Sequence, residues 1–249
     1  MLRKHFSLLA IVLASALAFA VPVTSNDVSY KSGDETVHAV QYSPEGKGRF
    51  PAIIVIHEWW GLNDWVKEQA QKLAEQGYIT LAIDLYRGKV ATTSDEAHEL
   101  INALPDDRRL RDLKAAFSYL QSQKNVDAKR IGSIGWCAGG GWSLELAENE
   151  PGLKAAVINY GELSSDTATL KPIHAAILGS FGGQDRGITA DDVHKFEQQM
   201  KALGKKVEVK IYPDAGHAFE NRNRPTYRAD DAQDAWQRTV DFLEDDLKK

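Results

Sequence analysis

The chain is poor in cysteine and has no excess of positive charge. Cys137 is the single cysteine among 249 residues, so no disulfide can form within the chain. The 30 basic residues are outnumbered by 35 acidic ones, which gives a net charge of −5. A nucleic-acid-binding protein is expected to carry a basic face. The charge balance therefore excludes nucleic acid as the expected partner.

Internal repeats, low-complexity tracts and interdomain linkers are also lacking. Hydrophobic residues make up 43% of the chain and charged residues 26%, values that are ordinary for a globular domain with a substantial core. We therefore predict one domain, which covers residues 21–249.

The first twenty residues differ from the rest. Arg3 and Lys4 precede the apolar run FSLLAIVLASALAFA, which ends in Ala18-Phe19-Ala20 and contains no acidic residue. A basic start, a short apolar core and an A-x-A ending are typical of a secretory signal peptide. The alternative is an N-terminal anchor helix, although a membrane span needs about 20 apolar residues. We expect residues 1–20 to be cleaved, the protein to be periplasmic or secreted, and no stable membrane association afterwards.

After this segment, buried strands alternate with helices. The pattern predicts an edge hairpin over 28–43, strands over 52–57, 78–84, 130–136, 154–160, 173–181 and 206–213, and helices over 64–76, 94–104, 107–121, 139–149, 189–203 and 227–247. Continuous apolar runs such as AIIVIH are typical of strands that are covered on both faces. The predicted fold class is α/β, with a mostly parallel central sheet and helices on both faces. Sites in such sheets lie at the carboxyl ends of the strands.

The lone cysteine lies in Gly135-Trp136-Cys137-Ala138-Gly139, between a predicted strand and a predicted helix. This is the G-x-nucleophile-x-G pattern of a sharp strand-to-helix turn. The turn leaves no room for side chains two residues before and after the nucleophile, and glycine supplies that space. The helix N-terminus then favours negative charge on the sulfur. The alternative is a buried, inert cysteine beside glycines that permit close packing.

Two further residues complete a candidate catalytic triad. Asp185 and His217 each follow a predicted strand, in the segments GSFGGQDRG and YPDAGHAF. The chain order nucleophile, acid, histidine is that of α/β-hydrolases. His217 would transfer protons, and Asp185 would fix its tautomer and stabilise the imidazolium. The alternatives are a turn aspartate and a surface-loop histidine.

The segment HEWWG at 57–61 follows the first buried strand. A loop in this position supplies one amide of an oxyanion hole, and the residue after the nucleophile supplies the other. This predicts the backbone amides of Trp59 and Ala138 as the oxyanion hole. Glu58 would lie near the thiol, where a carboxylate is costly unless it is paired or used; the alternative is a solvated loop acid.

The segments HEWWG, DLYRG, IGSIGWCAGGG, INYG, GGQD and AGHAF occur in this order. Together they resemble the signature segments of the dienelactone hydrolase family, over nearly all of residues 21–249. The resemblance implies an α/β-hydrolase fold and a triad of Cys137, His217 and Asp185. It also implies hydrolysis of an ester or lactone through an acyl-thioester, without metal or cofactor. It further implies that Glu58 contacts the resting thiol and is redirected by substrate to activate it.

The expected partner is a small ester or lactone, and the expected oligomeric state is a monomer. Well-known members of the family hold a substrate carboxylate with arginines, one of them four residues after the catalytic histidine; here that position is Asn221. The cations available as substitutes are Arg87, Arg222 and Arg224. Trp60 and Tyr86 are candidates to line an aromatic pocket.

Three functions remain open at this point. The leading hypothesis is a cysteine-dependent, dienelactone hydrolase-like ester or lactone hydrolase. The second is a broader carboxylesterase or thioesterase, and the third is an exported binding or thiol-sensing module without turnover. The presence of all three triad residue types, Glu58 and the glycine turn favours an enzyme.

Overall fold

A computed structural model describes residues 21–249. The predicted signal peptide lies outside these residues. The eight strands are β1 (Val23–Ser32), β2 (Glu35–Pro44), β3 (Phe50–Ile56), β4 (Ile79–Asp84), β5 (Val126–Trp136), β6 (Ala155–Asn159), β7 (Ala176–Gly182) and β8 (Val207–Tyr212). They form one sheet in the order β1-β2-β4-β3-β5-β6-β7-β8. Strand β2 runs antiparallel to its neighbours β1 and β4, and all other neighbouring strands are parallel to each other.

The helices are α1 (Asp64–Glu75), α2 (Ser94–Asn102), α3 (Asp106–Ser122), α4 (Ala138–Asn149), the short α5 (Thr167–Leu170), α6 (Ala190–Ala202) and α7 (Ala229–Leu247). Local sequence sets their starts. Thr189 caps α6 through a capping box with Asp192, as its sequence predicts. Thr93 and Glu96 form the same motif at α2. Each box satisfies amides that the first helical turn leaves without partners.

Helices cover both faces of the sheet, and this arrangement produces two cores. Ile54 and Ile56 of β3 belong to the core that the sheet forms with α3, α4 and α6. The alternating Ile53 and Val55 face α1 and α7. Burial on both faces explains why β3 reads as an unbroken apolar run, and each such side chain stabilises the fold by roughly 1.5–3 kcal/mol. The predicted α/β fold class is confirmed.

The structure extends two of the predicted elements and adds one. The hairpin begins at Val23 rather than Val28, and β5 begins at Val126 rather than Arg130. The polar residues of these extensions lie at a sheet edge or end, where apolar alternation fades. The four-residue α5 has too few residues to show a helical period.

The parallel register brings the ends of three neighbouring strands level. Ile56 of β3 pairs with Gly135 of β5, and Trp136 of β5 pairs with Asn159 of β6. The residues that follow these strands therefore meet at one edge of the sheet, as expected for sites in parallel sheets.

Candidate active site

Cys137 occupies a sharp turn between β5 and α4. Its backbone has φ 55° and ψ −123°, a conformation that is strained for a residue with a side chain. The amide of Cys137 donates to the carbonyl of Asn159 over 3.0 Å, which ties the turn to the next strand. The thiol is partly exposed, at the N-terminus of α4. The strain and the position hold the sulfur out of the sheet toward solvent.

The glycines on either side are required by space. A Cβ on Gly135 would lie 2.0 Å from the carbonyl oxygen of Gly139, and a Cβ on Gly139 would lie 2.4 Å from that of His57. Any larger residue would open the turn. The spacing of the two glycines around Cys137 is therefore a consequence of close backbone packing.

His217 and Asp185 lie beside the turn. The Nδ1 atom of His217 is 2.7 Å from Oδ2 of Asp185, while Oδ1 accepts from the amides of Gly187 and Ile188. Burial opposes ionisation of Asp185, but the hydrogen bonds from His217 and these amides lower its pKa.

The imidazole is bonded on both sides. Burial alone would lower the pKa of His217, but hydrogen bonds and charge interactions with Asp185 and Cys137 raise that pKa to about 10. The pair with Asp185 fixes Nδ1 toward the carboxylate and leaves the other ring nitrogen toward Cys137. The structure thus brings the three predicted triad residues together.

The loop after β3 is held by His57, a residue that sequence reasoning did not single out. Its ring is fully buried. Nδ1 lies 2.6 Å from the carbonyl oxygen of Glu58, and Nε2 accepts a hydrogen bond from the amide of Leu85. Burial lowers the pKa of His57, which favours the neutral ring. The ring therefore fixes the backbone that leads to Trp59.

The amides of Trp59 and Ala138 come from this loop and from the start of α4. Neither amide donates to another backbone group among residues 21–249. Two amides that have no acceptor among the described residues and lie beside the Cys137 thiol are suited to bind an oxyanion.

Glu58 is 1% exposed, and its Oε2 accepts a 2.7 Å hydrogen bond from Nδ2 of Asn221. Burial raises the pKa of Glu58 to about 7, although Asn221, Arg224 and His217 oppose the rise. Asn221 is the position at which the family resemblance leads one to look for an arginine. A neutral amide replaces a permanent charge there, and Glu58 is left without a strong ion pair.

Two more titratable groups near the site escaped sequence reasoning. Burial raises the pKa of Glu220 to about 8. Its Oε2 accepts from the indole of Trp136 over 3.0 Å, and its buried Oε1 has no partner within residues 21–249. Tyr160 has φ 39°, and its ring lies 5.2 Å from that of His217. Only the tertiary structure brings Glu220 close to Glu58, since 162 residues separate them along the chain.

Cys137 and His217 open into a cleft of about 780 Å³. Its apolar wall includes Trp59, Trp142 and Leu163. Trp59 stacks edge-on against Trp60 at 5.0 Å and against the exposed His98 at 4.8 Å. Trp60 supports the wall rather than lining it.

The predicted substrate contacts Arg87, Arg222 and Tyr86 are not among the residues that line this cleft. The guanidinium of Arg87 forms ion pairs with Asp112 at 2.7 Å and with Glu35 at 3.0 Å, so its charge is neutralised within the fold. The guanidinium of Arg222 pairs with Glu68 and faces a separate groove between α1 and α7.

Tyr86 and Arg224 each pack on an aromatic ring. Tyr86 is buried against His57, with 4.7 Å between ring centroids. Arg224 stacks on the face of Trp60 at 3.7 Å and lowers the pKa of Glu58. Its Nε is buried and has no hydrogen-bond partner in the part of the chain that the structure describes. Of the three candidate arginines, Arg224 is the one that the structure places beside the site.

Residues 21–249 contain neither a metal-binding cluster nor a membrane-spanning helix. No group of three or more His, Cys, Asp or Glu side chains is arranged to hold a metal ion. No helix in this part of the chain has both the length and the apolarity needed to cross a bilayer.

Comparison with protein families gives a match to the dienelactone hydrolase family over residues 37–247. The chain is 33% identical over 233 residues to a Methylorubrum extorquens protein provisionally named carboxymethylenebutenolidase, a match that covers 88% of this chain and 80% of the relative. It is 33% identical over 213 residues to a Bradyrhizobium protein provisionally named 2-oxo-3-(5-oxofuran-2-ylidene)propanoate lactonase, with coverage of 80% and 86%.

Among solved structures, a Klebsiella pneumoniae protein provisionally named dienelactone hydrolase superposes with a TM-score of 0.82 at 29% identity, covering 89% of this chain and 98% of that one. A metagenomic dienelactone hydrolase-like promiscuous phosphotriesterase superposes with a TM-score of 0.83 at 24% identity, covering 90% and 99%. The second likeness bears on the fold alone.

Proposed function

The chain belongs to the dienelactone hydrolase family, a family of hydrolases, and on that premise we propose that it hydrolyses carboxylic esters or lactones with Cys137 as the nucleophile. The observation that carries the proposal is the strained turn that presents Cys137 beside a histidine bonded to Asp185 at 2.7 Å. A strained non-glycine residue persists only where its surroundings enforce it, and such residues cluster at active sites.

In the first half-reaction, substrate displaces Glu58 from Asn221, and the carboxylate takes the proton of the Cys137 thiol. The sulfur attacks the carbonyl carbon, and the amides of Trp59 and Ala138 stabilise the resulting oxyanion. When the tetrahedral intermediate collapses, the carbon–oxygen bond to the alcohol breaks. Protonated His217 gives its proton to the leaving alkoxide, and an acyl-thioester remains on Cys137.

In the second half-reaction, neutral His217 takes a proton from water, and the hydroxide attacks the thioester. Collapse releases the carboxylic acid and the Cys137 sulfur, which recovers its proton from Glu58. Asp185 stabilises the imidazolium in each step. The pKa of Glu58, raised to about 7, supports its role as a proton acceptor near neutral pH, and the 2.7 Å contact between Nδ1 of His217 and Oδ2 of Asp185 supports the role of His217 as a donor.

We propose further that this hydrolase acts outside the cytoplasm. The support is the sequence of residues 1–20, with its basic start, short apolar core and A-x-A ending. A thiol that is un-ionised until substrate binds resists oxidation better than a standing thiolate.

The test compares wild type, Cys137→Ala and Cys137→Ser on a panel of aryl esters and on dienelactone. Wild type is expected to hydrolyse the uncharged aryl esters, Cys137→Ala to lose that activity, and Cys137→Ser to lose most of it, because the surrounding groups are tuned to a thiol. Rapid quench and intact-mass measurement should reveal an acyl adduct that hydroxylamine removes. Equal rates for wild type and Cys137→Ala would contradict the nucleophile, and no turnover of any ester would favour a binding module.

A further inference from the structure

The wall of the catalytic cleft carries an excess of carboxyl groups. The charged residues that line it are Asp106, Arg109, Glu145, Glu148 and Glu162. Among the described residues, Arg109 is therefore the one permanent cation on the wall. The cleft is a reaction site because Cys137 and His217 open into it, and these charges decide what it admits.

The charge of Arg109 is already neutralised. Its Nε and Nη2 donate to the two carboxylate oxygens of Glu145 over 2.7 and 3.0 Å, and Nη1 donates to Asp106 over 2.7 Å. The guanidinium also stacks over Trp142 at 5.7 Å, and its side chain is 17% exposed. A forked pair of this kind uses the donors that would otherwise recognise a substrate carboxylate.

Glu148 lies one turn after Glu145 on α4 and has no such partner. Its Oε1 is fully buried and accepts no hydrogen bond from any described residue. Burial, with the nearby charges of Glu145 and Asp166, raises the pKa of Glu148 to about 7. A buried carboxyl oxygen without a donor makes the ionised carboxylate costly, and a donor or a positive charge that a ligand places in the cleft beside Glu148 lowers that cost.

From these contacts we infer that the cleft selects ester substrates that carry no negative charge and that present an O–H or N–H donor, or a cationic group, to Glu148. The inference rests on the proposed function and narrows it to a substrate class. An anionic acyl or alcohol group in the part of the cleft lined by Glu148 and Glu162 would find Arg109 already paired with Glu145 and the His217 imidazolium already paired with Asp185, and would be repelled.

Arg224 does not reverse this balance. It is stacked on Trp60 and does not line the cleft wall. Its charge acts on Glu58 and Tyr160, whose pKa values it lowers. A substrate carboxylate placed against Arg224 would leave Glu148 unsatisfied.

The test uses four phenyl acetates that differ only in a para substituent: carboxymethyl, carbamoylmethyl, propyl and trimethylammoniomethyl. The methylene insulates the ester from the substituent, so leaving-group reactivity is nearly constant. Wild type is expected to give a kcat/KM for the carbamoylmethyl and ammonium esters about tenfold above that for the carboxymethyl ester. Added salt should shrink the difference between the charged esters.

Glu148→Gln should reduce the preference for the ammonium over the carboxymethyl ester about threefold or more, while hydrolysis of the propyl ester persists. Asp241→Asn is the matched control, since it removes one exposed negative charge from α7 on the other face of the sheet and should leave every ratio unchanged. A wild type that hydrolyses the carboxymethyl ester as fast as the others, with Cys137→Ala inactive, would overturn the substrate class and leave the proposed function intact. Equal rates for wild type and Cys137→Ala on all four esters would instead overturn the proposed function, and the substrate class with it.

Discussion

Glu58 and Arg87 follow neighbouring parallel strands, β3 and β4, but the partners of their charged groups differ. Glu58 is buried with a single neutral partner, Asn221, and its pKa is raised to about 7. Arg87 is held by Asp112 and Glu35 in a network that also includes Arg111. We call the second group, Arg87, Asp112, Glu35 and Arg111, the arginine network.

The difference separates a charge that is available for chemistry from a charge that holds the fold together. Glu58 sits where burial makes its ionised form unfavourable, so a small change in contacts can move a proton. Arg87 joins the hairpin, through Glu35, to α3, through the fully buried Asp112. Position after a strand is common to both residues, and only the partners distinguish them.

The largest effect that would sharpen this comparison is expected from Asp185→Asn. The amide cannot stabilise the His217 imidazolium, so kcat should fall by about 10³–10⁴. Steady-state kinetics on an aryl ester and a thermal melt measure the two quantities. A loss of activity that only parallels a loss of folded protein would contradict a catalytic role.

Arg87→Met should act on stability instead. Removal of the guanidinium leaves Asp112 buried and unpaired, which is expected to lower the free energy of unfolding by about 3–5 kcal/mol. Urea denaturation measures the change, and kcat/KM per folded molecule should remain that of wild type. Asp112→Asn added to Arg87→Met should recover part of the loss, because the unpaired charge is then gone. A loss of kcat/KM without a loss of stability would contradict this structural role and would indicate that Arg87 contacts the substrate.

Glu58→Gln should give a pH-dependent gain in stability. The pKa of Glu58 rises from 4.5 in the unfolded chain to about 7 in the fold, so its contribution to stability is fully present below pH 4.5 and is lost as pH rises through 7. The glutamine variant cannot ionise and should exceed wild type by about 3 kcal/mol at pH 9, with little difference at pH 4. Urea denaturation across this range is the measurement. A constant offset at every pH would mean that the carboxyl does not titrate as proposed.

The smallest effect is expected at an exposed ion pair, which sets the baseline for the others. Lys201 and Glu197 lie one turn apart on α6, with 2.6 Å between Nζ of Lys201 and Oε1 of Glu197. Glu197→Gln should change the free energy of unfolding by about 0.5 kcal/mol or less and should not change its pH dependence above pH 6. A change as large as that of Arg87→Met would show that the distance between two charges, rather than their burial, decides how much an ion pair contributes to stability.

Much of the fold could be predicted because the sequence patterns are local. Unbroken apolar runs predicted the strands that are covered on both faces, and Thr189 predicted the start of α6. The hairpin began earlier than predicted because an edge strand with one solvated face lacks a continuous apolar run. The match to the dienelactone hydrolase family confirmed the resemblance that was read from the order of short segments.

Within the site, the sequence predicted the residues whose role depends on the conformation of their own backbone. The glycines around Cys137 predicted a sharp turn, and the structure explains them, because a Cβ added to Gly135 or Gly139 would lie 2.0 or 2.4 Å from a backbone oxygen. His57, Asn221 and Glu220 were missed, because each acts through a partner that is distant in the chain. The histidine next to Glu58 was the one available signal, since a histidine at the end of a buried strand must find hydrogen-bond partners.

The sequence by itself determined the order of strands and helices, the strained turn at Cys137 and the types of residue at the ends of the strands. These follow from steric rules and burial patterns that act over a few residues. The tertiary structure alone decided which charges are neutralised. Arg87, Arg109 and Arg222 are each paired within the fold, whereas Glu58 and Glu148 form no ion pair with any residue of 21–249. Charge pairing depends on distances of a few ångströms between residues that lie far apart in the chain, and the sequence does not fix those distances without the packing of the whole domain.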